Sequence, residues 1–71
     1  MPSLLAVRLA YGLSQKEAAE RIGIALQTFL NAENGKAITK AKAKQICEGF
    51  DMPVEGIKTL PRRLKKLPVG N

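Results

Sequence analysis

The sequence predicts an all-α fold, a single compact domain of five short helices. Three observations carry this. Apolar residues recur at intervals of three and four along most of the chain. Hydroxyl residues stand where those stretches begin, at Ser3, Ser14 and Thr39. Gly12, Gly23 and Gly35 stand where they end, and glycine adopts the left-handed conformation that closes a helix without strain.

The first helix is expected over about residues 4–11, with Ser3 as its cap and Gly12 as its stop. Leu5, Leu9 and Leu13 would face the core, with Val7 and Arg8 beside them. The second helix is expected over residues 15–22. Ser14 followed by Glu17 is a capping box, in which the hydroxyl accepts the N–H of the third helical residue and the carboxylate reaches back to the cap's own N–H. Ala18, Ala19 and Ile22 mark its inner face, and Gly23 ends it.

A third helix must begin almost at once, over about residues 25–33, because Leu26, Phe29, Leu30 and Glu33 repeat at three and four. Asn34-Gly35 closes it. Two helices separated by a three- to four-residue corner containing glycine form a helix-turn-helix pattern. Residues 36–39 read as a loop. The fourth helix follows over residues 40–50, capped by Thr39, with Ala43, Ile46, Cys47 and Phe50 inward. Asp51-Met52-Pro53 is a turn. Val54, Ile57 and Leu60 then predict a short fifth helix, weakened by Gly56 and stopped by Pro61. The expected organisation is a domain over residues 1–60 and a basic tail over 61–71, in which Leu64 and Leu67 can add one more turn or a contact.

At 71 residues the chain is near the lower size limit for a domain that folds alone. The apolar fraction of 45% suffices for a small core, but aromatics are only 4%, so aliphatic residues must do the packing. No apolar run reaches the length of a membrane span. The start, MPSLLAVRLAYG, lacks the basic opening and cleavage site of a secretory signal and is expected to be part of the fold. Cys47 is the single cysteine and there is no histidine, so a disulfide within the chain is excluded and a zinc or haem site has almost no ligands. No cofactor is expected, and a reducing cytoplasm suits the composition. Cys47 itself reads as a small buried hydrophobe.

Charge is unevenly spread. Twelve Lys and Arg stand against six Asp and Glu, a net charge of +6. Up to residue 34, Arg8, Lys16 and Arg21 balance Glu17, Glu20 and Glu33. The surplus falls in Lys36, Lys40, Lys42 and Lys44 and in Arg62, Arg63, Lys65 and Lys66. Lysines crowding the first turns of the fourth helix oppose its dipole, an arrangement better tolerated where the lysines meet phosphates. Clustering of this kind suits a polyanionic partner.

In the stretch from Leu13 to Gly35, LSQKEAAERIGIALQTFLNAENG, the chain resembles the phage-repressor and Cro-type helix-turn-helix proteins. The resemblance rests on Leu13, Ser14, Gln15, the pair Ala18-Ala19, Gly23, Ile24, Phe29, Glu33 and Gly35, with Arg8 seven residues before Gln15. It continues without a gap to about Leu60. It implies a lambda-repressor-like DNA-binding domain, with the helix-turn-helix at the second and third helices, and an ion pair between Arg8 and Glu33. The chain departs from the family pattern at Ala18 and Ala32, where larger residues are usual, and at Phe29, where a smaller one is. This reads as an exchange of volume within the core. Ala25 stands where the family usually has a Ser or Thr cap.

The expected mechanism is direct readout of double-stranded DNA, with the third helix in the major groove. Gln27 and Asn31 lie one turn apart, and their amides can donate and accept together, which matches the adenine edge. Leu26 can meet thymine methyl groups; alternatively Leu26 and Leu30 pack on the chain's own C-terminal segment or on another protein. By resemblance, Gln15 would touch phosphate and brace Gln27. Thr28 and Asn34 are further contact candidates, and Lys36, Lys40 and Lys42 would hold the phosphate backbone. A domain this small reads few bases, and the resemblance implies a homodimer on a pseudo-palindromic operator. Val54, Ile57, Leu60 and Leu64 are its candidate surface. No catalytic constellation is present, and neither an enzyme, a membrane partner nor a small-molecule substrate is expected. The reading is a small Cro-type transcriptional repressor of phage or mobile-element type. Its competitor is an antitoxin-like or regulatory module whose main partner is another protein. A cationic membrane peptide built on the tail would need a long amphipathic helix, which Pro61 and Pro68 oppose.

Overall fold

Three hydroxyl caps place the helices of this protein in a computed structural model that describes residues 3–61. Ser3 accepts the N–H of Ala6 and opens α1, Leu4–Ala10. Ser14 accepts the N–H of Glu17 at 3.1 Å while its own N–H donates to Glu17 Oε1 at 2.8 Å, so the capping box that opens α2, Gln15–Ile22, is complete. Thr39 accepts the N–H of Lys42 and opens α4, Lys40–Phe50. Between them lies α3, Leu26–Glu33, whose cap position holds Ala25 with no side chain to accept a bond.

The helices enclose one core. α2 packs on both α3 and α4, and α1 packs on α3. Phe29 and Ile46 are fully buried, with Ala18, Ala19, Ala32 and Ala43 around the same cluster. The buried phenyl ring among small residues fits the expected volume exchange between Phe29 and the alanines at 18 and 32. Gly49 lets α4 approach α2 closely, since a Cβ there would run into the end of the Ile22 side chain. Tyr11 ties the end of α1 to α4: its ring meets Phe50 edge-on at 4.9 Å, its hydroxyl donates to the Phe50 carbonyl, and Arg21 stacks over it.

Two expectations require correction. The inner face of α1 is Leu4, Val7 and Arg8, whereas Leu5 and Leu9 are 44% and 60% exposed. A seven-residue helix carrying apolar side chains at nearly every position fits more than one register, and the tie is broken by the position of Arg8, which must face Glu33. Nor is there a fifth α-helix among the described residues. Val54–Gly56 is a single 3-10 turn after Pro53, and the chain is extended by Ile57. Ile38 and Thr59 then form an isolated parallel bridge. Ile57 is 5% exposed and belongs to the protomer's own core, so it is withdrawn from the candidate dimer surface. Val54 and Leu60 stay exposed but share no helical face. Leu64 and Leu67, and the basic tail beyond Pro61, lie outside the described residues.

Candidate nucleic-acid interface

The corner between α2 and α3 consists of Gly23, Ile24 and Ala25. Gly23 has φ 86°, a left-handed conformation that costs a residue with a Cβ roughly 1–2 kcal/mol. Its N–H and that of Ile24 both donate to the Ala19 carbonyl, and Ile24 turns into the core. From α4, Gln45 Nε2 donates to the Ile22 carbonyl at 3.1 Å, occupying an acceptor that the end of α2 would leave open. The corner is thus held from inside and from behind, which fixes how α3 projects.

The far end of α3 is held equally firmly. Arg8 Nε donates to Glu33 Oε2, and Arg8 Nη1 donates to the Leu13 carbonyl at 2.8 Å. Gln15 Nε2 donates to Glu33 Oε1 at 2.9 Å. The ion pair implied by the family resemblance is present and buried. Gln15, by contrast, braces Glu33 and not Gln27. Its amide nitrogen is committed to the carboxylate, a stronger acceptor than a neutral amide.

With Phe29 and Ala32 inward, α3 presents Leu26, Gln27, Thr28 and Asn31 on its outer side. Leu26 is 42% exposed and Leu30 half-buried. Gln27 Nε2 donates to Asn31 Oδ1 at 3.0 Å. Joined in this way, the two amides leave the Gln27 carbonyl oxygen as acceptor and the Asn31 nitrogen as donor. This acceptor–donor edge is complementary to the donor–acceptor pattern of adenine N6 and N7 in the major groove.

Around that edge the charges divide. Thr28 and Asn31 of α3, Thr39, Lys42 of α4 and Leu60 line a shallow depression of about 250 Å³. Lys40 and Lys44, one turn apart, line a different groove with Cys47, Met52, Val54 and Thr59. Lys42 is therefore the helix-start lysine that shares a surface with α3, and Lys40 does not sit in that depression. Asn34 and Lys36 are exposed just past the end of α3. Neither α3 nor α4 carries an acid in its first turn. The N–H groups there are compatible with phosphate, unlike those of α2, where Glu17 already occupies the site.

Two ionisable groups are shifted. Hydrogen bonds from the Ser14 backbone N–H and, second, the Ser14 side chain hold the Glu17 carboxyl below the ordinary glutamate value. Burial, reinforced by Glu55 and Glu48, raises the Cys47 thiol, which keeps it protonated and poorly nucleophilic at neutral pH. Among the described residues no three His, Cys, Asp or Glu side chains gather as metal ligands, and no helix is long and apolar enough to cross a membrane. Sequence reasoning missed the roles of Gln45 and of Leu60. Both depend on contacts between distant parts of the chain that no local spacing signals.

Compared with known protein families, residues 4–57 match the helix-turn-helix family. No curated protein and no solved structure matches the chain. The match covers the capped α2, the glycine corner, α3 and the Arg8–Glu33 pair that orients it. The chain therefore belongs to the helix-turn-helix family of DNA-binding transcription regulators.

Proposed function

We propose that this protein is a small Cro-type repressor that binds a pseudo-palindromic operator as a homodimer and occludes a promoter. The joined amide edge of Gln27 and Asn31 carries the reading. It is exposed on a helix locked at both ends, and its polarity fits a base edge. Leu26 lies beside it as the apolar surface for a thymine methyl. Thr28, Asn34, Lys36 and Lys42 hold phosphates and set the register without reading sequence. Lys40 has a lesser part, since it lines the groove on the far side of α4. Gln15 acts by holding Glu33, and so the end of α3, in place. No catalysis is assigned, and the working environment is the cytoplasm of a bacterial or phage-infected cell.

An eight-residue helix spans about 12 Å and reads only a few base pairs. A second protomer doubles the site and sets half-sites about one helical turn, roughly 34 Å, apart. The test is selection of bound duplexes from a random pool at near-physiological salt. An enriched inverted repeat with that spacing supports the proposal. An enriched single site without a repeat removes the dimer. Unselective, salt-sensitive binding alone removes the operator reading.

A second reading rests on the exposed pair Leu5 and Leu9, one turn apart on α1. It makes the protein an antitoxin-like module that carries a protein partner. That reading requires a stable heterocomplex in which both leucines become protected.

A further inference from the structure

α4 carries its charges against its own dipole. Lys40, Lys42 and Lys44 crowd its start, while Glu48 and Asp51 stand at its end. A helix dipole favours the reverse, anions at the start and cations at the end. Lys42 faces the depression beside α3. The other four residues line a second groove of about 530 Å³, in which Cys47 and Met52 are buried and Val54 is 49% exposed. All four are exposed, and the only ion pair among the described residues joins Arg8 to Glu33. Lys40 and Lys44 are also one turn apart, a like-charge spacing that weakens a helix by itself.

Spacings of four and three put Lys40, Lys44, Glu48 and Asp51 on one stripe. Along it the charge runs plus, plus, minus, minus. A stripe of this kind is complementary to itself when two copies lie antiparallel. A two-fold axis at the level of Gln45 and Ile46 sets Lys40 opposite the partner's Asp51. The same axis sets Lys44 beside the partner's Glu48. A DNA duplex suits only half of the stripe, because Glu48 and Asp51 repel phosphate. We infer that this face of α4 binds a second copy of the chain, antiparallel, and does so without DNA. This rests on the homodimer reading above and names the surface through which the copies meet. Each helix start then lies against the partner's helix end, so dipoles and side-chain charges are offset together. Val54 adds apolar surface beside the ion pairs. Lys42 lies in the other depression, so pairing here leaves the surface beside α3 open.

The experiment is analytical ultracentrifugation of the full 71-residue chain across a concentration series, at low and high salt, free and with a selected duplex. Two charge-altered variants accompany it. One carries Lys40→Glu and Lys44→Glu, the other Glu48→Lys and Asp51→Asn. Asparagine tolerates the left-handed conformation of Asp51, φ 54°. Every change agrees with the dipole or is neutral to it, so neither variant weakens the helix, and circular dichroism checks the fold. The unaltered chain should form dimers without DNA that weaken as salt rises. Each variant alone should self-associate about 100-fold more weakly, because like charges then face each other. An equimolar mixture of the two variants should recover dimers, since an acidic stripe then meets a basic one. Weakening that mixing does not rescue overturns the charge pairing. Dimers that neither variant weakens overturn this face and leave the homodimer reading to another surface. Pairing of the unaltered chain on the duplex alone overturns this face in the same way. A chain that is monomeric both free and on the duplex overturns both readings.

Discussion

Arg8 and Glu33 form a buried ion pair that joins α1 to the end of α3, with side-chain exposures of 11% and 5%. The guanidinium also donates to the Leu13 carbonyl, and Gln15 donates to the second carboxylate oxygen. Every element before the corner is thereby tied to the orientation of the helix after it. Removing one member of such a pair leaves an unpaired buried charge, which costs about 3–5 kcal/mol. A domain of this size has a total stability of only roughly 4–10 kcal/mol. Glu33→Ala and Arg8→Ala should each lower the free energy of unfolding by about that amount, a third or more of the total, as read by urea denaturation. The double variant Arg8→Ala with Glu33→Ala should lose less than the two single losses combined. Additive losses would show that the two residues do not act as a pair.

The joined amides of Gln27 and Asn31 lead to a prediction about selectivity. Removing either one breaks the composite edge, so Gln27→Ala and Asn31→Ala should weaken binding to a selected operator by about 1–3 kcal/mol each. Because they share one edge, the double variant should lose less than the sum. Binding to unrelated DNA should hardly change. Equal loss on all sequences would remove both from base reading.

Much of this arrangement is legible in the sequence, and what is not has physical causes. Ser3, Ser14 and Thr39 fix helix starts because a cap needs only its own next three residues. Gly23 fixes the corner for a similarly local reason. The register of α1 is not legible, because Leu4, Leu5, Val7 and Leu9 all suit an inner face and only the distant Glu33 chooses among them. The stretch after Pro53 fails differently. Val54, Ile57 and Leu60 keep helical spacing, yet Gly56 weakens the helix, and hydrogen bonds to Ile38 hold Lys58–Leu60 extended. A one-residue bridge has no periodicity to announce it. At the interface, residue types pointed to Gln27 and Asn31, but their mutual bond and the capture of Gln15 by Glu33 depend on side-chain geometry.

Lys42 and Lys44 are two residues apart on α4 and face different grooves. If phosphate lies against α3, Lys42→Ala should reduce the salt slope of binding by about 1 on every sequence. Lys44→Ala should leave it unchanged. The reverse pattern would move the DNA to the other side of α4.

Glu17 makes stability depend on acid. Its carboxyl is held below the ordinary glutamate value by the bonds from Ser14. A group lowered in the folded state binds its proton more readily when unfolded, so its contribution is present above the ordinary glutamate value and is lost as pH falls through the lower folded value. Glu17→Gln keeps the hydrogen-bonding shape of the box without the charge. The wild-type advantage over this variant should be full at neutral pH and should shrink as the solution is acidified below that point. Urea midpoints at several pH values measure it, and a difference independent of pH would mean that the charge does not contribute.

Ala25 is the cap position that the chain leaves unused. Its backbone has φ −64° and ψ 144°, the extended geometry of a working cap, and the first N–H groups of α3 lack a side-chain acceptor. Serine adopts that conformation without strain, and its hydroxyl would reach the N–H of Thr28 as Ser14 reaches Glu17. Ala25→Ser should therefore stabilise the domain by about 1 kcal/mol. For a domain of this size that is a rise of about 4–8 °C in melting temperature. The same hydroxyl would stand at the start of α3, where, if α3 enters the major groove as proposed, it can also donate to a phosphate. Affinity for DNA should then rise by a similar factor on specific and unrelated sequences, because a phosphate contact carries no base preference. Calorimetry tests the first effect and titration on both kinds of duplex tests the second. A melting temperature that fails to rise would show that the start of α3 is already satisfied by solvent, and that its cap was lost at no cost in stability.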